Sequence, residues 1–129
     1  YNPCYVTEGD YRFESGYKAA SRLLETDITA AFVSNDMMAI GFLKKLYELG
    51  RQVPKDFSLV GYDNSLAPFV LGVKLTSVSQ DPQLLGEEAC RLLTNRLKEK
   101  DTPPSTICLP PQLVIRSSVE PPLHSPDCI

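Results

Sequence analysis

The sequence predicts an α/β fold with a parallel sheet. Short apolar runs, of the length of buried strands, alternate along the chain with longer segments in which apolar residues recur at helical spacing. This alternation is typical of doubly wound folds, whose strands are covered by helices on both faces. We expect parallel strands at residues 30–33, 58–62 and 75–78, and helices at residues 12–25, 37–49 and 83–98.

The first unit pairs residues 4–7, a plausible short strand, with a helix over residues 11–26. Its apolar face would carry Phe13, Tyr17, Ala20 and Leu24. Tyr11 lies where this helix begins. An aromatic ring there would either stack on a flat ligand or serve as a partly buried anchor, and both interpretations stay open.

The second unit is the strand at residues 29–33 followed by a helix that ends near Leu49. Asn35 and Asp36 are both good N-cap residues for that helix. Because only one of them can be the cap, we expect the other side chain to be free at the carboxyl end of the strand. The helix is apolar on nearly all sides, which predicts a second contact, either with a partner subunit or within one protein.

Residues 50–64 predict a helix stop, a loop, a buried strand and a polar tip. Gly50 suits a left-handed helix cap, and Pro54 prevents the helix from resuming. Asp63 and Asn64 then follow the strand at its carboxyl end. That edge is where ligands bind in open α/β sheets. The alternative is that the pair is only a turn.

The last part of the chain begins with a possible helical turn at residues 65–72. Asp81 as N-cap with Pro82 at the first helical position predicts the start of the helix that ends near Lys98. Its apolar stripe would contain Leu85, Ala89, Leu92 or Leu93, and Leu97. Short strands are expected at residues 106–109 and 113–115, and residues 119–129 are expected to form a loose tail.

Composition excludes several classes of function. The net charge of −3 and the pI of about 5.1 argue against direct nucleic-acid binding by this chain. No apolar run is long enough to span a bilayer. The four cysteines lack close pairs, so we expect free thiols, with a Cys4–Cys128 link as the alternative. With His124 as the one histidine, we expect no metal, no cofactor and no Ser/His/Asp triad.

Enzymatic activity is not expected. The sequence has no glycine-rich phosphate fingerprint, no GxxxxGK[ST], no HExxH and no GxSxG motif. Asn35 and Asp63, the polar residues at the predicted strand ends, provide neither a nucleophile nor an acid/base pair.

Several motifs occur in one order along the chain. They are GDYRFESG at residues 9–16, NDMMAIG at 35–41, the stretch 50–64, LTSVSQ at 75–80 with Leu85 and Gly86, and LPPQLVIRSS at 109–118. Together they resemble the carboxyl-terminal half of the effector-binding region in the lactose-repressor (LacI) family of bacterial transcription regulators. The GDYRFESG and GYDN motifs are most similar to its purine-repressor and catabolite-control branches.

The resemblance implies a type I periplasmic-binding-protein-like fold, in which two α/β subdomains close on a small molecule. Residues 1–118 would form the carboxyl-terminal part of that domain, so the fold would be incomplete. The implied function is effector sensing and dimerisation in a cytoplasmic regulator that binds DNA through a headpiece absent from this chain. A periplasmic solute-binding protein of a sugar transporter shares the fold and is the alternative.

The resemblance also implies roles for individual residues. Asp63 matches an aspartate that accepts hydrogen bonds from the effector, Asn35 an amide that contacts it, and Tyr11 an aromatic that stacks on it. Gln80, on the last crossover, would reach the cleft. The effector would be a sugar, a nucleobase or a nucleoside. The homodimer interface would contain Ile40, Phe42, Leu43, Tyr47, Leu66, Ala67, Val70 and Leu71.

Overall fold

The structure is a computed structural model that describes residues 2–65, 71–99 and 103–122. Within these residues the elements follow the order α1 (Phe13–Leu23), β1 (Ala30–Phe32), α2 (Asp36–Glu48), β2 (Ser58–Asp63), β3 (Thr76–Ser79), α3 (Pro82–Lys98) and β4 (Gln112–Val114). The strands form a sheet of order β1-β2-β3-β4, in which β1, β2 and β3 are parallel and β4 is antiparallel to β3. The predicted α/β class, with its three parallel strands and three helices, is confirmed.

Helices α1 and α2 are packed so closely that their backbones touch. A Cβ atom on Gly16 would lie 2.0 Å from the carbonyl oxygen of Met38, and one on Gly41 would lie 2.1 Å from the carbonyl oxygen of Phe13. Since a real Cβ never approaches an oxygen so closely, any side chain at either glycine would push the helices apart. The loops that precede α1 and α2 are therefore fixed relative to each other.

The core lies between α2 and the sheet. Phe42 stacks on Phe57 with 5.5 Å between ring centroids, and Leu46 and Leu59 are fully buried beside them. Burying an apolar side chain of this size contributes about 1.5–3 kcal/mol, so this cluster accounts for much of the stability of the sheet–helix contact.

The predicted stop of α2 is confirmed in detail. Gly50 has a φ of +69°, its N–H donates to the carbonyl of Tyr47 at 3.0 Å, and the N–H of Arg51 donates to the carbonyl of Leu46 at 3.0 Å. These are the two hydrogen bonds of a Schellman motif, which requires a left-handed residue after the helix.

Ser118 joins the beginnings of β2 and β3. Its carbonyl accepts the N–H of Leu59 at 2.8 Å, and its hydroxyl oxygen accepts the N–H of Thr76 at 2.8 Å. Two residues later, the carbonyl of Glu120 accepts the hydroxyl of Ser58 at 2.9 Å. The start of the segment expected to be a loose tail is thus attached to the sheet, and residues 123–129 lie outside the described residues.

Two predicted strands are wrong. Residues 4–7 were expected as a strand, but Pro3–Tyr5 is a 3-10 helix, because the side chain of Asn2 caps it and proline favours its first position. Residues 106–109 have no regular structure. The other short strand, predicted at residues 113–115, is present as β4, directly after Pro110 and Pro111, which lack the N–H groups that a strand ladder needs. The expected turn at 65–72 falls largely on residues 66–70, outside the described part of the chain.

The expectation that helices cover both faces of the sheet does not hold for the described residues. The ring of Phe32 is exposed and meets Tyr62 edge-on at 6.4 Å. Helix α3 begins as predicted, with Asp81 as its cap and Pro82 at its first position, but it contains no buried residue. No described helix combines the length and the hydropathy needed to cross a bilayer.

Candidate ligand-binding site

The four residues predicted to contact a ligand lie at the carboxyl edge of the sheet. Tyr11 precedes α1, Asn35 precedes α2, Asp63 ends β2 and Gln80 follows β3. Asp63 is the register partner of Ser79 across the parallel pair of strands, so Gln80 is next to it in the adjacent strand connection. The amide of Asn35 donates to the carbonyl of Tyr11 at 3.0 Å, which links the first two positions.

Asn35 is the N-cap of α2. Its side-chain oxygen accepts the N–H of Met38 at 2.9 Å, while its side-chain nitrogen donates to Tyr11. A carboxamide has two donor hydrogens and two acceptor lone pairs, so one of each remains after these bonds. Asn35 is therefore oriented by the backbone of two helix starts and keeps the capacity to bind a further polar group.

Tyr11 presents its ring to solvent. The side chain is 66% exposed, and the backbone has a φ of +64°, which is uncommon for a non-glycine residue. The next residue is held locally: the N–H of Arg12 donates to the carboxylate of Asp10 at 3.1 Å, and its carbonyl accepts the Ser15 hydroxyl at 2.9 Å. Of the two interpretations of Tyr11, the buried anchor does not describe this ring.

Asp36 is where the structure corrects the sequence analysis. One of Asn35 and Asp36 was expected to cap α2, and the other side chain was expected to be free. Asn35 is the cap, but the carboxylate of Asp36 is buried, at 2% exposure. It accepts the hydroxyl of Ser77 at 2.7 Å and the N–H of Ser65 at 3.0 Å. Both oxygens are engaged because β2 and β3 bring donors next to the start of α2.

Asp63, the last residue of β2, and Asn64 directly after it both have left-handed backbone, with φ values of +97° and +53°. The N–H of Asn64 donates to the hydroxyl oxygen of Ser77 at 3.2 Å, and its side-chain oxygen accepts a guanidinium N–H of Arg116 at 2.7 Å. Asp63 belongs to β2 and Asn64 follows it at the carboxyl edge of the sheet, so the interpretation of the pair as only a turn is not supported.

The carboxylate of Asp63 is half-buried. No donor among the described residues forms a hydrogen bond with it. Partial burial, and then the negative charge of Asp36, raise the pKa of Asp63 above its ordinary value. A ligand that donates hydrogen bonds to this partly desolvated carboxylate would therefore stabilise its charged form.

The residues expected at a dimer interface separate into two groups. Phe42 and Leu43 are 1% and 3% exposed and belong to the core, so they are not accessible to a second subunit: α2 is buried on two sides within one protein. Ile40 is half-buried, whereas Tyr47 and Leu71 are 67% and 47% exposed. Leu66, Ala67 and Val70 lie outside the described residues.

Tyr47 and Leu71 border a groove of about 290 Å³ at the end of α2. Arg51 and Val53 line it on the side of the loop that follows the helix. Of the described residues predicted at the interface, Tyr47 and Leu71 are thus the large apolar side chains that a partner could reach.

Sequence reasoning missed Ser77 and Arg116, and it misjudged Asp36. A serine inside the apolar run at residues 75–78 was a usable signal, since a buried hydroxyl needs a partner. No comparable signal identified Arg116, because its partners, Leu75 and Asn64, are distant in sequence.

Metal ligands are not clustered in the part of the chain that the structure describes. It contains no group of three or more His, Cys, Asp or Glu side chains able to hold an ion. Cys4, Cys90 and Cys108 are exposed free thiols, and Cys128, the other partner of the possible Cys4 link, lies outside the described residues.

Comparison with known proteins identifies relatives over nearly the whole chain. The family model described as a periplasmic binding protein-like domain matches residues 1–119. The transcriptional repressor PurR of Mannheimia succiniciproducens is 42% identical over 118 residues, which cover 90% of this chain and 35% of that protein. The chain thus spans about a third of the length of this curated relative.

Solved structures of LacI-family regulators share the fold. One from Enterococcus faecalis with bound ribose has a TM-score of 0.84 and 32% identity, covering 88% of this chain and 43% of that one. A dimeric Lac repressor has a TM-score of 0.80 and 33% identity, covering 89% of this chain and 43% of that one.

Proposed function

The chain belongs to the LacI family, within its periplasmic-binding-protein-like domain, and we propose that it is part of the effector-sensing and dimerisation region of a transcription regulator. The observation that carries the proposal is the half-buried carboxylate of Asp63 at the carboxyl edge of the sheet, with no described donor. The relatives are regulators, which favours this function over that of a transporter's solute-binding protein.

Effector recognition would depend on the residues at this edge. The carboxylate of Asp63 would accept two donors at once, such as adjacent sugar hydroxyls or ring N–H groups. The remaining donor and acceptor of Asn35 would bind a second polar group, and the exposed ring of Tyr11 would stack on the effector's face. Gln80, exposed at the end of β3, would contact the effector from the neighbouring connection.

A sugar, a nucleobase or a nucleoside fits these groups. Each combines a flat or weakly polar face for Tyr11 with neighbouring donors for Asp63. The ribose in the Enterococcus faecalis relative supports the sugar class. Closure of a second wall over the effector, outside this chain, would convert binding into a change in the regulator's shape.

The regulator would act as a homodimer. The groove bordered by Tyr47 and Leu71 supports a two-fold contact. In a two-fold interface each subunit contributes the same two apolar side chains, so four of them would be removed from water, which favours association. The solved dimeric Lac repressor supports the same assembly. DNA would be bound through a headpiece outside this acidic chain, in the cytoplasm.

We propose no catalytic activity for this chain. Asp36 and Asp63 are neighbouring carboxylates, which is an arrangement that some hydrolases use. Both oxygens of Asp36 are already hydrogen-bond acceptors in a buried position, so it is not available to exchange a proton with a substrate.

Isothermal titration calorimetry on the full-length protein that carries this chain tests the proposal. The probes are D-ribose, cellobiose, adenosine and guanine. At least one should bind, and Asp63→Asn should weaken its affinity by about tenfold or more, since a hydrogen bond to a charged group contributes about 1.5–3 kcal/mol. Glu25→Gln, at an exposed site after α1, is the matched control and should leave affinity unchanged. Equal affinity in Asp63→Asn and wild type would contradict the site.

A further inference from the structure

We propose that Asp36 is a positioning residue of the ligand site: its buried carboxylate holds the backbone of residues 63–65 and so sets the direction in which Asp63 faces the effector. The inference rests on the proposed function for its ligand. Neither Asp36 nor Arg116, which holds the side chain of Asn64, needs to touch the effector in this role.

Residues 63 and 64 need to be held because their backbone is strained. Asp63 and Asn64 are consecutive non-glycine residues with positive φ. Left-handed backbone is unfavourable for a residue with a Cβ, and it persists where surrounding contacts enforce it. Without such contacts the backbone of these two residues would relax and the carboxylate of Asp63 would point elsewhere.

Asp36 supplies the first anchor through both of its oxygens. One accepts the N–H of Ser65 directly after the strained pair, at 3.0 Å. The other accepts the hydroxyl of Ser77 at 2.7 Å, and the oxygen of that hydroxyl accepts the N–H of Asn64 at 3.2 Å. The successive backbone amides of Asn64 and Ser65 are therefore fixed by a single carboxylate, the first through one hydroxyl and the second directly.

Arg116 supplies the second anchor. One guanidinium nitrogen donates to the carbonyl of Leu75 and another to the side-chain oxygen of Asn64, both at 2.7 Å. The fork of a guanidinium presents two donors in a fixed geometry. Asn64 is thus bound through its backbone toward Asp36 and through its side chain toward Arg116.

The space for the carboxylate depends on a glycine in β2. A Cβ on Gly61 would lie 2.6 Å from an oxygen of Asp36 and 2.9 Å from a methyl group of Leu75. A side chain at residue 61 would therefore displace Asp36 without removing its charge. This makes Gly61→Ala a variant that tests position separately from charge.

The charged groups that face this network come from the described elements around it. Asp63, at the end of β2, is the acidic group whose ionisation feels the charge of Asp36. Arg116, after β4, is the basic group and is bonded to Asn64. Removing the charge of Asp36 should therefore make Asp63 easier to ionise, while displacing residues 63–65 should change the exposure of the Asp63 carboxylate.

The experiment uses the full-length protein and the variants Asp36→Asn, Gly61→Ala and Arg116→Lys. NMR hydrogen exchange on the ligand-free protein measures protection of the Asn64 and Ser65 amides. Protection at Ser65 should fall about tenfold or more in Asp36→Asn, the factor expected for one hydrogen bond to a charged group. Carbon-13 titration of the Asp63 carboxyl should give a lower midpoint in the same variant. Gly86→Ala is the matched control, because a Cβ there meets open space.

Effector affinity is the readout that a purely structural role would not change. With the probe that binds wild type, Asp36→Asn and Gly61→Ala should weaken binding and should shift its pH profile, whereas Gly86→Ala should not. Arg116→Lys, at a half-buried surface residue, keeps the charge and should reduce protection at Asn64 less than Asp36→Asn does. If Asp36→Asn does not fold, protection at Asn64 in Arg116→Lys tests whether the network holds this residue. Unchanged protection at Asn64 and Ser65 in folded variants would overturn the network. Failure of every probe to bind wild type would instead overturn the proposed function.

Discussion

The hydroxyl of Ser77 donates a 2.7 Å hydrogen bond to the buried carboxylate of Asp36, which joins the third strand of the sheet to the first turn of α2. The same hydroxyl accepts the N–H of Asn64, the residue after Asp63. The carboxyl edge that carries the candidate site is thus supported by buried polar groups, and substitutions of these groups should affect the site without touching a ligand.

Replacing that hydroxyl should measurably destabilise the protein. Ser77→Ala removes a donor from a buried carboxylate, so we expect the free energy of unfolding to fall by about 1.5–3 kcal/mol. Urea denaturation followed by circular dichroism measures it. Ser117→Ala, at an exposed site, is the control and should change stability little. A Ser77→Ala protein as stable as wild type would show that the bond contributes nothing net.

The contact between α1 and α2 should not tolerate a methyl group. In Gly16→Ala the new Cβ meets backbone atoms of Met38, which cannot move independently of α2. We expect a loss of about 1–3 kcal/mol or more, as in overpacked cores. Gly86→Ala adds the same methyl group to α3 in open space, where helix propensity favours alanine by about 1 kcal/mol. Thermal melts of both variants give the comparison, and equal stability of the two would contradict the packing.

Effector affinity should weaken as the pH falls through the raised pKa of Asp63. Burial and the charge of Asp36 raise that pKa, so the protonated form persists above the ordinary Asp value of about 3.9. The protonated carboxyl has lost acceptor capacity, and an effector that supplies donors binds it less well. Calorimetry across this acidic window measures the effect. In Asp36→Asn the same loss should occur at lower pH, and an unshifted profile would disprove the coupling.

The same pKa makes a prediction for stability. Because the pKa of Asp63 is higher in the folded protein than in the unfolded chain, the folded protein binds more protons at this residue. Its contribution to the free energy of unfolding is therefore complete below the pKa of the unfolded state and is lost as the pH rises through the pKa of the folded state. Asparagine does not ionise, so Asp63→Asn does not show this pH-dependent decrease in stability. The variant should therefore become more stable relative to wild type on going from acidic to neutral pH. Urea midpoints at several pH values test it. A constant difference between the two proteins would contradict the raised pKa.

Association should depend on the exposed end of α2. Tyr47→Glu places a charge in the apolar groove shared with Leu71, and a desolvated charge without a partner opposes dimer formation. Sedimentation velocity on the full-length protein should show a shift from dimer to monomer at micromolar concentration. Lys55→Glu, at an exposed residue of the following loop, is the control for a change in charge. A Tyr47→Glu dimer as tight as wild type would exclude this groove from the interface.

The sequence by itself determined the order and type of the main elements. Period and run length identified the three parallel strands and three helices, because these signals are local. Gly50 and the pair Asp81 and Pro82 marked helix ends, since capping depends on residues within one turn. The position of Asp63 at the carboxyl edge followed from the same logic, as it only requires the strand to end there.

Tertiary structure decided which polar residues are buried inside the fold and which stay accessible at the carboxyl edge of the sheet. Asn35 and Asp36 are equivalent as local caps, and the choice between them depends on Ser77, which is 41 residues from Asp36. Arg116 reaches Asn64 across 52 residues, and Ser118 reaches Leu59 across 59. Phe42 and Leu43 became core for the same reason, because α1 and the sheet cover them. Such partners are brought together by the fold as a whole, and a pattern read along the chain contains no measure of their distance.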